Sequence, residues 1–338
     1  MLRCLDLALS GSGNTAPNPL VGAVLVYDNK IIGEGYHAAF GLPHAEVNAI
    51  NDAIEKGNQG LIEKSTLYVN LEPCSHFGKT PPCCDLIIQH KIPTVVIGMH
   101  DPFPEVNGKG IARLREAGIV VEDEILREKC EFLNRRFITF HTKKRPFILL
   151  KFARTANHFM AQLNATPKKI SNETTDIQVH KWRSEESAIM VGTRTAEIDN
   201  PLLTVRKWKG KNPIRITLDR NLRLKKTLHI FDNSTKTIVF TESEEKSEGT
   251  IENVKIDFRE KIPAQIINAL YQRKILSFMI EGGSNLLKQF IDDKLWDEAR
   301  IITSDEYWND GLPSPVISGR LIFQSKITGD EITSLYPF

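Results

Sequence analysis

The chain has 338 residues, 41% of them hydrophobic and 25% charged, the balance of a soluble globular protein. That length exceeds what one hydrophobic core usually serves, so two domains are expected. A net charge of +2 supplies no basic footprint for nucleic acid, and no run of about eighteen apolar residues is present to span a bilayer. The N-terminal stretch, with Asp6 inside its apolar run, does not read as a secretory leader. Five cysteines, three of them clustered, suit a metal or a reactive thiol in a reducing compartment better than a disulfide framework. The expectation is a cytoplasmic protein whose partners are neither nucleic acid nor membrane.

Residues 1–10 read as an amphipathic helix ended by Gly11-Ser12-Gly13-Asn14. VGAVLVYDNKIIGEGYH reads as a hairpin turning at Asp28-Asn29-Lys30. HAEVNAINDAIEKG has helical spacing at Val47, Ile50 and Ile54 and stops at Gly57. A buried strand in STLYVNLEPC, a short helix in CCDLIIQHKI, a buried strand in PTVVIGMHD, a helix in GKGIARLREAGI and a final strand in VVEDEI follow. Strands alternating with helices imply an α/β layer, parallel after an antiparallel start. Lys143-Lys144-Arg145-Pro146 marks a boundary, giving domains 1–145 and 146–338. Beyond it FILLKFA, NPIRITLDR, KTIVF, VKIDF and ILSFMIEGG read as strands. SNETTDIQVHKWRS reads as a helix capped near Ser171, and Ser284–Asp293 as another. The charged run 242–248 reads as a solvated loop.

A hydrolytic zinc site needs three protein ligands, an open position, and a general acid/base that is not itself a ligand. Zinc deaminases write this as His-x-Glu followed by Pro-Cys-x-x-Cys. Here His44-Ala45-Glu46 is followed by Pro73-Cys74 and, eight residues further on, by Cys83. All three ligand candidates fall at element ends, where α/β sheets place their sites. Helix starts also favour thiolate, the form that binds zinc. Cys84 competes with Cys83. The two side chains point in different directions, and Cys83, at the helix start, is the expected ligand. Glu46 is the expected catalytic acid/base. A purely structural zinc would need a fourth protein ligand, and a nucleic-acid base deaminase would need a basic surface.

The strings LEPCSHFGKTPPCCDLII, GLPHAEVNAI and APNPLVGAVLV resemble the bifunctional deaminase–reductase family of riboflavin biosynthesis, in which the cysteines are spaced by just such an insertion. The resemblance implies an N-terminal cytidine-deaminase-like three-layer domain and a C-terminal dihydrofolate-reductase-like domain using NADPH, in a homo-oligomer. It implies a small pyrimidine ribosyl phosphate as substrate, deaminated first and then reduced from ribosyl to ribityl. Asn18, His76 and Lys79 are candidate substrate holders beside the zinc.

In the second half the turn Glu281-Gly282-Gly283 opens a helix, a natural phosphate cradle. Carried over by resemblance, Ala153, Lys169, Thr195, Asp199, Gly283, Ser284, Asn285 and Leu286 would line the cofactor. Arg183, Leu203, Arg206 and Glu281 would line the substrate, the arginines suiting its phosphate as charged forks. The family usually continues Lys-x-Ala with Ser-x-Asp-Gly and then carries Ser-x-Trp. This chain has Thr155-Ala156-Asn157-His158 and Pro167-Lys168-Lys169 instead. Asn157 lacks a charge, His158 stands where glycine would let the backbone take positive φ, and Lys169 removes an aromatic. These changes leave the deaminase untouched and imply a less efficient reductase, with a deaminase bearing an inactive reductase domain as the alternative.

Overall fold

A computed structural model describes residues 1–75, 81–103, 106–164 and 166–338. The chain divides into two compact units, Met1–Lys144 and Arg145–Phe338.

The first unit runs α1 (Leu2–Leu9), β1 (Gly22–Tyr27), β2 (Lys30–Tyr36), α2 (Ala45–Glu55), β3 (Thr66–Val69), α3 (Cys83–Gln89), β4 (Thr94–Ile97), α4 (Lys109–Glu116), β5 (Val120–Glu122), α5 (Arg127–Leu133) and α6 (Arg135–Thr142). Its sheet has the order β2-β1-β3-β4-β5, antiparallel across β2-β1-β3 and parallel from β3 to β5. Asp28 and Asn29 both take positive φ, 49° and 58°, and join the hairpin in two residues with Tyr27 paired to Lys30. That backbone twist matches the twist of the flanking strands. Side-chain alternation then assigns the faces. Ala23 and Leu25 pack with Ala49, Ile50 and Ile87 of α2 and α3, while Val24 packs with Cys4 and Leu7 of α1. The sheet is the middle of three layers.

How close α2 lies to the sheet is set by two glycines. A Cβ at Gly33 would run into the Ala49 backbone, and one at Gly35 would lie 2.5 Å from the Ala49 nitrogen. The bare backbone of β2 lets the helix carrying Glu46 sit directly on it. Sequence reading missed α5 and α6, because short segments with few periodic residues give little pattern to read.

The second unit runs β6 (Phe147–Arg154), β7 (Phe159–Ala161), α7 (Glu173–Glu185), β8 (Ala188–Val191), α8 (Thr193–Asp199), β9 (Ile214–Leu218), β10 (Thr237–Thr241), β11 (Lys246–Glu248), β12 (Ile251–Lys255), α9 (Ile262–Gln272), β13 (Ser277–Ile280), α10 (Ser284–Asp292), β14 (Glu298–Thr303), β15 (Leu312–Pro313), β16 (Arg320–Ile327) and β17 (Asp330–Tyr336). A ten-stranded sheet has the order β11-β12-β10-β9-β8-β13-β6-β14-β17-β16, parallel from β12 through β14 and antiparallel at both edges. Alternate residues of β6 serve opposite faces. Ile148, Leu150 and Phe152 join α9 and α10, whereas Phe147 and Leu149 join Val179 and Trp182 of α7. The cap of α7 is Asn172, whose side chain accepts the Thr175 N–H, one residue beyond the expected Ser171. Part of the expected loop 242–248 is instead the fully exposed edge strand β11.

Buried Glu72 organises the loop beyond β4. Its carboxylate accepts the backbone N–H groups of Asp101, Gly108, Gly110 and Ile111 at 2.9–3.2 Å. Each buried donor left without a partner costs about 1–3 kcal/mol. Glu72→Ala is therefore expected to destabilise the first unit by at least about 3 kcal/mol in denaturant unfolding, and Glu72→Gln by less.

Candidate functional site

In the first unit β3 and β4 are parallel, and the chain leaves both at the same sheet edge. Cys74 follows β3, His44 is the N-cap of α2, and Cys83 is the first residue of α3. Their donor atoms lie within 4.8 Å of one another. His44 Nδ1 is 3.3 Å from Cys83 Sγ and 3.6 Å from Cys74 Sγ, and the Cys83 backbone N–H donates to Cys74 Sγ at 3.3 Å. The Cys83 side chain and the neighbouring His44 ring pull the Cys74 thiol down to about 4. Hydrogen bonding to Cys74 pushes the Cys83 thiol the other way. Three soft and borderline donors converging on anionic sulfur are the donor set of a zinc ion.

Glu46 lies in the first turn of α2, buried, and shares a hydrogen bond with the Cys83 side chain. Burial pushes its carboxyl up. Cys84 points elsewhere. It is fully buried, and its Sγ donates to the carbonyls of Pro73 and Gly110 at 3.4 and 3.6 Å.

Asn18 is brought to this site through a residue that sequence reading missed. The buried His37 ring lies edge-on to His44, with centroids 5.4 Å apart. Its Nδ1 donates to the Pro43 carbonyl at 3.0 Å, which leaves Nε2 to accept from Asn18 Nδ2 at 3.1 Å. Burial pushes the ring's pKa down and keeps it neutral. The Asn18 Oδ1 is thereby left as an acceptor. A lone His after a strand gave no sequence signal. Asp101, beyond β4, was missed as well, and burial pushes its carboxyl up to about 7.

The second unit gathers charge at the carboxyl ends of its parallel strands. Glu281, just beyond β13, takes both forks of Arg183 from α7 at 2.7 Å, and Lys151 Nζ of β6 stands 4.0 Å from it. All three side chains are largely buried. Burial opposes the Glu281 charge, but Arg183 and Lys151 outweigh it and hold the carboxyl at about 2. Arg183 also donates to the Thr204 carbonyl at 3.3 Å, and Arg206 Nη1 to Thr204 Oγ1 at 2.8 Å. Beside them Asp176 pairs with Lys169 at 3.0 Å and Lys207 at 2.9 Å. The cations outnumber the acids, as an anion site requires.

A glycine cradle lies at the same strand ends. Gly282 takes φ +132°, its carbonyl accepts the Gly192 N–H at 3.0 Å, and a Cβ at Gly283 would lie 2.9 Å from Thr195 Oγ1. Helices α8 and α10 begin at this cradle, and the first N–H groups of a helix find no partner within it, a shape fitted to phosphates.

Comparison with known proteins identifies the two units. The model of the cytidine and deoxycytidylate deaminase zinc-binding region matches residues 1–99, and that of the RibD C-terminal domain matches residues 146–304. The riboflavin biosynthesis protein RibD of Aquifex aeolicus is 38% identical, covering 99% of this chain and 94% of its own. That of Synechocystis is 36% identical, covering 99% and 91%. The chain belongs to the RibD family. The crystal structure of a diaminohydroxyphosphoribosylaminopyrimidine deaminase/5-amino-6-(5-phosphoribosylamino)uracil reductase from Thermotoga maritima superposes with a TM-score of 0.92 at 39% identity, covering 100% of this chain and 97% of that one. Like its family, the chain is an enzyme of riboflavin biosynthesis with a zinc-binding deaminase domain and a reductase domain, each on the α/β fold expected from its sequence.

The carried-over residues fall as follows. His76 and Lys79 lie outside the described residues. Arg183, Arg206 and Glu281 are brought together. Leu203, expected at the substrate, has φ +52° and a side chain buried in the hydrophobic core, so it can offer substrate only its backbone. Lys169, expected along the cofactor, is held by Asp176 and adds its charge beside Lys151. Ala153 is the penultimate residue of β6, and Thr195 and Asp199 ride on α8. Gly283 is the N-cap of α10, whose first turn carries Ser284, Asn285 and Leu286, the last with its side chain in the core. His158 does take φ +68°, the conformation in which glycine is at ease. Asn157 braces that turn, accepting from Thr155 Oγ1 at 2.8 Å and donating to the Trp308 carbonyl at 2.7 Å. Lys151, Asp176 and His180 were missed, since a buried charge on a strand or helix face shows only when the opposing elements are in place.

Replacing Cys74 or Cys83 by Ser is expected to remove zinc from the purified protein, and Cys84→Ser to leave its content near that of the parent. Elemental analysis showing the reverse for Cys83 and Cys84 would transfer the ligand role.

Proposed function

We propose that this chain deaminates a diaminohydroxyphosphoribosylaminopyrimidine and then reduces the resulting 5-amino-6-(5-phosphoribosylamino)uracil with NADPH, the two activities that its Thermotoga maritima relative is named for. The observation that carries the reading is the convergence of His44, Cys74 and Cys83 with Glu46 buried beside them. Three ligands and a carboxylate leave room for water, whereas a closed structural site does not.

Zinc, when bound by His44, Cys74 and Cys83, lowers the pKa of water and polarises it for attack. Glu46 takes the proton of the attacking water, gives one to a ring nitrogen, and protonates the departing amine. A carbon–oxygen bond forms at the amino-bearing ring carbon, the carbon–nitrogen bond breaks, and ammonia leaves a carbonyl behind. Asn18 Oδ1, oriented by His37, accepts from the ring or its amino group.

NADPH, when bound, supplies the hydride for the second step. The Gly282–Gly283 cradle and the start of α10 would hold its phosphates, with Ala153, Thr195 and Asp199 along it. Arg183 and Arg206 hold the substrate phosphate, with Lys169 and Lys207 adding positive charge at its rim. Glu281 fixes the Arg183 fork, because a carboxylate at this depth is stable only against paired cations. We infer a homo-oligomer as well, a reading supported by Leu321 and Phe323, which lie 54% and 48% exposed on the outermost strand of the ten-stranded sheet.

Glu46→Gln is expected to retain zinc and to lose ammonia release by about 100- to 10,000-fold. Product mass after incubation with the diaminopyrimidine phosphate measures this, and activity within a few-fold of the parent would remove Glu46 from the mechanism. With the deaminated compound supplied directly, NADPH oxidation is expected. Its KM for NADPH should lie several-fold above that of a relative with tryptophan at the position of Lys169, since a lost aromatic stack is worth about 1 kcal/mol. No oxidation at saturating NADPH, with full ammonia release, would leave the deaminase alone.

A further inference from the structure

The helix α7 presents Asp176, His180 and Arg183 at i, i+4 and i+7, on one face. Asp176 and Arg183 are occupied as described. His180, buried to 2% exposure, does something different. Its Nδ1 accepts the backbone N–H of Arg206 at 3.0 Å. An N–H can only donate, so this nitrogen carries the lone pair and the ring proton sits on Nε2. The imidazole is surrounded by Arg183, Arg206, Asp176 and Glu281, and burial with the two arginines pushes its pKa down to about 4. It is neutral at physiological pH, the form able to accept.

The bond is made to a segment without regular secondary structure. Residues 200–213 contain no helix or strand, and Leu203 takes φ +52°. The segment is pinned by Asn200 on His229, by Arg215 on the Leu202 carbonyl, by the buried Leu203 side chain, by Arg183 on the Thr204 carbonyl, by the Asn212 side chain on the Val205 N–H, by Lys207 on Asp176, and by His180 on the Arg206 N–H. Of these contacts the last acts at the residue whose guanidinium leaves the backbone toward the anion site.

We propose that His180 is a positioning residue of the reductase half: it fixes the Arg206 backbone so that the guanidinium is held for the substrate phosphate. This rests on the reading of Arg206 as a phosphate holder. His180 itself touches no reacting atom. It sets the cost of ordering the loop, and hence substrate affinity rather than the chemical step.

The test uses the full-length enzyme with its zinc, the deaminated phosphoribosylamino-uracil as substrate, and His180→Ala, His180→Asn and Arg206→Ala. Losing the acceptor of this partly buried N–H should raise KM for that substrate about tenfold in His180→Ala, with kcat within about twofold. Ammonia release by the other half should be unchanged. His180→Asn, whose amide oxygen can stand where Nδ1 stood, should return KM to within about twofold of the parent. An unchanged KM in His180→Ala while Arg206→Ala raises it overturns the role of His180. An unchanged KM in Arg206→Ala overturns the phosphate reading and the proposal with it. A KM that His180→Asn fails to restore, or a kcat that falls while KM holds, overturns it too. Should His180→Ala not fold, nitrogen NMR of the parent protein decides. An unprotonated Nδ1 whose signal moves on adding the substrate supports the proposal, and a ring protonated at Nδ1 overturns it.

Discussion

A carboxylate or a cation taken out of water is stable only against a partner held at hydrogen-bond distance, and the reductase unit is arranged around one such pairing. Glu281 is buried between Arg183 and Lys151, with two fork contacts of 2.7 Å. Removing either partner would strand a buried charge, at a cost of several kcal/mol. The pairing ties α7 to the end of β13 and so fixes where the helix face with Asp176 and His180 stands. The Thr204–Arg206 segment is anchored to that face in turn. In the deaminase unit the equivalent constraint is the pair of sulfurs. Negative charge collected on Cys74 is answered by a backbone N–H and an imidazole, and a divalent cation answers it more fully.

Both units put chemistry at the carboxyl edge of parallel strands because that is where the chain turns back into helices. Turning back closely needs bare backbone. Gly33 and Gly35 let α2 lie on β2, and Gly282–Gly283 lets α10 begin against Gly192 and Thr195. A side chain at these places would lift a helix from its sheet and carry a ligand or an amide away from the site.

The departures from the family pattern are absorbed locally. His158 occupies a left-handed conformation that costs a non-glycine residue about 1–2 kcal/mol. The turn holds because Thr155 and Asn157 bond across it and Asn157 fastens it to Trp308. Asn157 needs no charge for this, since an amide supplies both the donor and the acceptor used. Lys169 gives up an aromatic contact and gains a place in the cationic group around Asp176. The reductase unit thus keeps a surplus of cations around Glu281 and Asp176.

The sequence by itself determined the alternation of strands and helices, the break near Pro146, and the grouping of His44, Cys74 and Cys83 with Glu46. These are written in local spacing: apolar period, cap and turn residues, and a motif whose members all lie at element ends. That Cys83 rather than Cys84 would stand beside His44 and Cys74 was also legible, because a residue at a helix start and its successor face different ways. Only the tertiary structure decided what lies opposite each side chain. It joined Asn18 to His37, put four backbone N–H groups on Glu72, turned Leu203 into the core, and set Lys169 against Asp176. It also gave His180 an amide to hold 26 residues away in the chain. Such partners meet only after strands have paired and helices have docked, and no local pattern of residues encodes a neighbour that the chain brings back from so far.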